Sequence, residues 1–119
     1  MTGIIIFRGR LEAFMIDEAT ILKAVELLQQ AAPGSTVIVF GSCARGEATA
    51  DSDLDVLVVE PEVSDRLNEM VRLRDVLRPL EIPADVLVHD RRTFEHWADT
   101  PGTVLYEAAQ EGRVFLAPQ

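Results

Sequence analysis

Three short runs of apolar, largely β-branched residues constrain the fold of this chain more than any other feature. They read STVIVF (35–40), LDVLVVE (54–60) and ADVLVHD (84–90). Runs of this length and composition are typical of β-strands with buried faces. Because helical patterns stand between them, we predict an α/β fold in which a small sheet is flanked by helices.

The segments between these runs have the spacing of helices. Apolar residues recur every three or four positions across 16–32 and across 62–80, which predicts two long helices. Shorter elements complete the order: a helical turn that begins at Ser42, two C-terminal helices in RRTFEHWADT and GTVLYEAAQEG, and a last strand or extended tail at VFLA (114–117).

Length and charge narrow the class of protein. The 119 residues fit one domain over 1–119, and 11 basic against 20 acidic residues give a net charge of −9. This balance argues against direct binding of nucleic acid and is compatible with a cation site, or with solubility alone. Cys43 is the single cysteine, so no disulfide can form within the chain and a cytoplasmic setting is expected. No apolar run is long enough for a signal or membrane segment, so no membrane partner is predicted.

Two aspartates stand at the start of the second run, in GSCARGEATADSDLDVLVV (41–59). Residues i and i+2 of a strand face the same side, so Asp53 and Asp55 are expected to project together. Like charges beside a buried strand repel each other and lose hydration, which calls for a positive charge. No Lys or Arg stands at a suitable local spacing, and Mg²⁺ prefers carboxylate oxygen. We therefore predict a metal site, although Asp-Ser-Asp is also common turn chemistry.

Gly41 and Ser42 follow the first run, where a strand is predicted to turn into a helix. Gly41 permits close backbone approach, and Ser42 can cap the helix or offer its hydroxyl and N–H to a phosphate. If the first two strands are antiparallel, this turn lies beside Asp53 and Asp55 and forms a site for a metal-bound nucleoside triphosphate. Asp85 joins them if the second and third strands are parallel neighbours. Three carboxylates there could hold two Mg²⁺ about 3.5–4 Å apart, as in nucleotidyl transfer.

The Gly-Ser pair, followed about ten residues later by Asp-x-Asp and an apolar strand, resembles the signature of the polymerase-β-like nucleotidyltransferase superfamily. The residue pattern ARGEA…SDLD is most similar to that of the smallest members of this superfamily, the minimal nucleotidyltransferases. The resemblance spans roughly 16–117, includes the family's terminal Glu-Gly turn and apolar run, and implies a small mixed sheet with flanking helices. The segment GIIIF, in residues 1–14 outside the resemblance, either adds an edge strand or precedes a true start at Met15.

The resemblance implies a role for each residue of the motif. Gly41 and Ser42 match the pair that holds the triphosphate, and Asp53 and Asp55 match the metal-binding pair. Asp85 matches the third acid, which completes the metal site and is credited with activating the acceptor hydroxyl. The cofactor is then Mg²⁺, two ions, and ATP is a substrate whose α-phosphorus is attacked as pyrophosphate leaves.

The resemblance also implies a partner. Many minimal nucleotidyltransferases are antitoxins of a HEPN-domain toxin, usually an RNase. This chain is then an enzyme that transfers AMP from ATP onto a tyrosine of such a toxin, as the antitoxin of a type VII toxin–antitoxin pair. The chain is too short for the added domains of larger relatives, so the acceptor is expected on a partner protein. The alternative is an antitoxin that neutralises its toxin by binding alone, with an acidic surface over a basic cleft.

Other interpretations of the same stretch carry less weight. Residues 41–46 have the Gly-x4-Gly spacing of a P-loop, but Glu-Ala follows where Lys-Ser/Thr is required. Cys43 could be a nucleophile at a strand-to-helix turn, yet the sequence places no catalytic partner beside it. Arg45 matches the family's arginine, with a structural or phosphate-binding role, and an ordinary surface salt bridge is the simpler alternative.

Overall fold

Strands and helices follow one another along residues 16–118, which are the residues that the computed structural model describes. Their bounds are α1 Glu18–Ala31, β1 Thr36–Phe40, α2 Ser42–Arg45, β2 Leu54–Glu60, α3 Arg66–Val76, a 3₁₀ turn Arg78–Leu80, β3 Ala84–Asp90, α4 Arg91–Trp97, α5 Val104–Glu111 and β4 Arg113–Phe115. The predicted α/β fold is confirmed. The predicted GIIIF strand lies outside the described residues.

The four strands form one mixed sheet in the order β3-β2-β1-β4. β1 is antiparallel to β2 and to β4, whereas β2 is parallel to β3. The sequence argument required both arrangements. The antiparallel pair places the end of β1 beside the start of β2, and the parallel pair places the starts of β2 and β3 together. The predicted site residues therefore gather at one end of the sheet.

The sheet is covered on both faces, because side chains of a strand alternate between them. On one face, Leu54, Val56 and Val58 of β2 pack with buried residues of α1 and α3. On the other face, Leu57 and Val59 pack with Leu105 and Ala108 of α5 and with partly buried residues of α4 and β3; the buried β1 residues of this face are Ile38 and Phe40. Asp55 alternates onto this second face, toward α5.

The helix expected over 62–80 is shorter than predicted. Asp65 caps its start, since its carboxylate accepts a hydrogen bond from the backbone N–H of Asn68 at 3.1 Å. The α-helix ends at Val76, and Pro79 lies in the 3₁₀ turn that follows it. Proline cannot donate the next helical hydrogen bond, so the α-helix stops before it.

Two apolar residues of α3 face solvent. Leu67 and Val71 of α3 are 70% and 49% exposed, while Leu73 is fully buried on the opposite side of the helix. The last strand begins one residue earlier than predicted, at Arg113, and pairs with β1. No helix within residues 16–118 combines the length and apolar character needed to cross a bilayer.

Candidate active site

The three predicted acids lie on neighbouring segments at the start of β2 and β3. Asp55 is the second residue of β2, opposite Phe40 of β1 on one side and in register with Asp85 of β3 on the other. Asp53 lies two residues before Asp55, just outside the strand. Asp55 is partly buried, whereas Asp53 and Asp85 are exposed. The sheet therefore places Asp55 beside Asp85, with Asp53 next to them along the chain.

The surroundings of Asp55 oppose its negative charge. Burial raises the pKa of Asp55, and the negative charges of Asp85, Asp53 and Glu107 raise it further, while Arg45 acts in the opposite direction. A partly buried carboxylate among other carboxylates is stabilised when a cation binds beside it. Carboxylate oxygens are the ligands that Mg²⁺ prefers. The chemistry of the donor set therefore fits a divalent metal.

These side chains do not form a ready-made metal cage. Within residues 16–118, no group of three or more His, Cys, Asp or Glu side chains is close enough together to hold a metal ion. Carboxylates repel one another before a cation neutralises them, so their separation agrees with elementary electrostatics. The assignment of Asp53, Asp55 and Asp85 as metal ligands stays a prediction.

Gly41 forms the turn between β1 and α2. Its φ is +74°, in the left-handed region that favours glycine. A Cβ at this position would overlap with Oδ2 of Asp55 and lie 3.2 Å from its Cγ. Glycine is therefore needed for two reasons: the turn requires a positive φ, and the Asp55 carboxylate lies against the backbone.

Ser42 is the first residue of α2 and does not cap it. Gly41 occupies the N-cap position, and no side chain caps this helix. The hydroxyl of Ser42 donates instead to Oγ of Ser52 at 3.1 Å, and Ser52 Oγ accepts from the N–H of Thr49 at 2.8 Å. The capping interpretation of Ser42 is wrong. Its hydroxyl links the turn after β1 to the loop that leads to Asp53, and its contact with a triphosphate stays a prediction.

Cys43 is buried beneath the same turn. Its Sγ donates to the carbonyl oxygen of Asp53 at 3.6 Å. Burial raises the pKa of the Cys43 thiol, and the charges of Asp55 and Asp53 raise it further. The thiolate that a nucleophile requires is thus disfavoured, which argues against a catalytic cysteine.

Arg45 lies among three glutamates. Its Nε is 2.8 Å from Oε1 of Glu47, and its Nη1 is 3.5 Å from Oε1 of Glu111 and 4.0 Å from Oε2 of Glu107. The hydrogen bond to Glu47 is the main reason why the pKa of Arg45 is raised. These contacts join α2 to α5 and favour the structural role among those that the sequence left open.

Glu107 is a charged neighbour of Asp55 that the sequence analysis missed. α5 packs on the sheet through Leu105 and Ala108, which brings Glu107 near Asp55 and Arg45. In the sequence, Glu107 is an acid in the first turn of a helix, where acids are common because they complement the helix dipole. Its relation to Asp55 depends on how α5 docks, and no local signal predicts that.

A cleft of about 530 Å³ lies beside this acid cluster. Its lining comes from α2 and from the segment that begins α5: Arg45, Gly102, Thr103, Val104, Tyr106, Glu107 and Glu111. Small-molecule sites commonly have volumes of about 300–1,000 Å³, so the cleft has room for a ligand of that class.

Residues 20–113 match the model of the nucleotidyltransferase domain family, and the chain therefore belongs to that family. This confirms the resemblance found in the sequence at the level of the domain. The match covers all three predicted acids and the Gly-Ser turn. No protein with a curated description matches the chain at a significant level.

Solved structures support the same fold. A mutant of the toxin–antitoxin MntA-HpeT is 24% identical, with 83% of this chain and 73% of that chain covered and a TM-score of 0.57. A toxin–antitoxin with AMP-PNP is 24% identical, with 87% and 75% covered and a TM-score of 0.56. A Sulfolobus solfataricus protein described as a nucleotidyltransferase is 20% identical, with 83% and 78% covered and a TM-score of 0.57. At these identities the likeness shows a shared fold alone.

Proposed function

We propose that this chain is a Mg²⁺-dependent nucleotidyltransferase that transfers AMP from ATP to a tyrosine hydroxyl of a HEPN-domain toxin. It then acts as the antitoxin of a type VII toxin–antitoxin pair. The register of Asp55 beside Asp85, with Gly41 packed against Asp55, is the observation that carries the proposal. Membership of the nucleotidyltransferase family supports the class of reaction. The toxin partner rests on the motif resemblance and on the fold shared with toxin–antitoxin proteins.

In this proposal, Asp53, Asp55 and Asp85 hold the metal, and the turn of Gly41 and Ser42 holds the triphosphate. Mg²⁺ at these carboxylates supplies neutralisation of the phosphate charge and alignment of the α-phosphorus. Because Gly41 has no Cβ, the Asp55 carboxylate lies directly against the turn that is proposed to hold the triphosphate. In the proposal, the Ser42 hydroxyl exchanges its hydrogen bond with Ser52 for one with a phosphate oxygen.

We assign to Asp85 the role of activating the acceptor hydroxyl. β3 is an outer strand of the sheet, and Asp85 is exposed at its start, so a partner protein can bring a hydroxyl to it. The acceptor proton passes to the Asp85 carboxylate while the acceptor oxygen bonds to the α-phosphorus. The bond from that phosphorus to the bridging oxygen breaks, and the leaving pyrophosphate keeps the bond's electron pair. AMP remains on the acceptor.

The test is transfer of label from α-labelled ATP to the co-purified toxin in the presence of Mg²⁺. Wild type is expected to label the toxin, and Asp53→Ala/Asp55→Ala is expected to lose the transfer. Asp99→Ala is the matched control, because Asp99 is an exposed acid in the loop after α4, outside the acid cluster. Full transfer by the double variant would contradict the proposed chemistry.

A second function, neutralisation by binding alone, is favoured by one observation. The net charge of −9 suits a surface that covers a basic cleft. Growth after co-expression with the toxin separates the two functions. Neutralisation by Asp55→Ala equal to wild type would support binding alone, and loss of neutralisation with an intact complex would support catalysis.

A further inference from the structure

We propose that the cleft between α2 and α5 binds the nucleoside end of the nucleoside triphosphate, with Tyr106 as the surface against which the base stacks. This inference rests on the proposed function, since it assigns part of the same substrate. It adds a location for the base, an orientation for the nucleotide and a residue outside the motif.

Two residues of the cleft relate it to the acid end of the sheet. Arg45 lines the cleft and belongs to the helix that begins at Ser42, directly after the Gly41 turn. Glu107 lines the opposite side, and its charge acts on Asp55. A nucleotide with its phosphates at the turn therefore has its nucleoside within reach of this cleft.

The charges of the cleft orient the nucleotide. Glu107 and Glu111 supply two carboxylates against the single guanidinium of Arg45, which Glu47 also engages. The net negative charge of these side chains disfavours a triphosphate inside the cleft. An uncharged base and ribose are accepted, and ribose hydroxyls can donate hydrogen bonds to carboxylate oxygens. The phosphates are better accommodated at the Gly41 turn, where Mg²⁺ held by Asp53, Asp55 and Asp85 would neutralise their charge.

Tyr106 is the only tyrosine of the chain, and it lines the cleft in a partly buried position. The first turn of α5 is held firmly, because the Tyr106 N–H donates to Oγ1 of Thr103 at 3.1 Å. The Thr103 hydroxyl in turn donates to the carbonyl of Thr100 at 2.9 Å. An aromatic ring on a fixed helix turn suits base stacking, because every base has a π-face that can lie on it.

The experiment measures calorimetric binding of two probes, Mg²⁺-ATP and Mg²⁺-tripolyphosphate. Tyr106→Leu removes the aromatic ring but keeps apolar bulk, so the helix turn is retained. It is expected to weaken ATP binding about tenfold or more and to leave tripolyphosphate binding unchanged. Tyr106→Phe keeps the ring and is expected to bind both probes as wild type does. Trp97→Ala, which removes an exposed aromatic side chain of α4, is the control and is expected to bind both probes normally.

Equal ATP binding by Tyr106→Leu and wild type would overturn this inference while leaving the proposed function intact. The same holds for an equal loss of both probes. Failure of wild type to bind Mg²⁺-ATP would overturn both proposals. A gain of one AMP mass on this chain, absent in Tyr106→Phe, would make Tyr106 an acceptor and also overturn the stacking role.

Discussion

Gly41 and Gly46 flank α2 with nearly the same backbone conformation, φ +74° and +73°, but their surroundings differ. A Cβ at Gly41 meets the Asp55 carboxylate, whereas a Cβ at Gly46 has no heavy atom within 4 Å. Gly46→Ala should cost about 1–2 kcal/mol of unfolding free energy from the left-handed backbone alone. Gly41→Ala should cost at least about 2 kcal/mol, because Asp55 must also move. Urea denaturation measures both, and equal losses would show that Asp55 moves freely.

Asp55 should make the folded state sensitive to pH. Its pKa is raised above the ordinary 3.8, so the folded protein holds this proton more tightly than the unfolded chain does. The contribution of Asp55 to the free energy of unfolding is therefore lost as pH rises from about 3.8 through the raised pKa of the folded state. We expect Asp55→Asn to stabilise the metal-free protein at pH 7 by no more than about 1 kcal/mol, because the site is partly solvated.

Thermal unfolding at several pH values in EDTA measures the gain in stability of Asp55→Asn over wild type. This gain should shrink as pH falls toward 4. Mg²⁺ should stabilise wild type and not Asp55→Asn, since the variant lacks one carboxylate charge. A gain that is independent of pH would contradict the assigned cause. So would equal stabilisation of both proteins by Mg²⁺.

Local sequence rules were sufficient for part of the site. The two-residue period of a strand predicts that Asp53 and Asp55 belong together, and the start of the third run predicts a place for Asp85. The partners of Ser42 and Arg45 could not be predicted in this way. Ser52 and the glutamates of α5 reach them through loop and helix packing, which depends on the whole fold.

β2 carries an acid near each end. Glu60, at its C-terminal end, has a buried Oε2 without a hydrogen-bond partner within residues 16–118. Burial, with the neighbouring Glu69 carboxylate, raises the pKa of Glu60 to about 7. Two hydrogen bonds from Arg72, at 2.9 and 2.7 Å, hold Glu69 in its charged form and lower its pKa. Burial therefore opposes the negative charge of an acid at both ends of β2.

Glu60→Gln should stabilise the protein relative to wild type as pH rises. The folded state keeps a proton on Glu60 that the unfolded chain releases near 4.5, so the wild type loses stability between pH 4.5 and about 7. The expected gain above pH 7 is no more than about 1 kcal/mol, because solvent screens the pair. Denaturation at pH 5 and pH 8 measures it. In a Glu69→Gln background the gain should be smaller, and an unchanged gain would contradict the role of Glu69.

Strand bounds were predicted closely, because period and flanking turn residues are local properties. β2 and β3 match the predicted ranges 54–60 and 84–90. α3 was predicted too long, since apolar residues continue at helical spacing at Val63, before the capping Asp65, and at Leu80, after Pro79. Pairing of β4 with β1 and docking of α5 connect distant segments, so neither could be predicted from local pattern.

The net charge of −9 should destabilise the folded state through self-repulsion. Salt screens this repulsion, so NaCl should raise the melting temperature. MgCl₂ should raise it further at equal ionic strength, because Asp53, Asp55 and Asp85 are concentrated at one end of the sheet. The double variant Asp53→Asn/Asp55→Asn should lose the additional increase in melting temperature from MgCl₂ and keep the increase from NaCl. Equal effects of the two salts on wild type would contradict a specific site.

The overall architecture was predictable, and the cleft was not. A mixed sheet with flanking helices follows from three apolar runs and a recognisable motif. The cleft forms where α5, packed on the sheet, lies beside α2, and the α5 segment that supplies most of its lining has no sequence signature. The extent of a single domain over 1–119 stays a prediction beside a family match over 20–113.

Cys43 gives this site an internal reporter. Its sulfur is buried and donates a hydrogen bond to the Asp53 carbonyl oxygen at 3.6 Å. The chain has no other cysteine. A thiol reagent can reach it when the Gly41 turn and the Asp53 loop separate. The rate of alkylation under native conditions therefore depends on how often the turn and the loop separate. A ligand that closes the turn would slow alkylation without ever touching the sulfur.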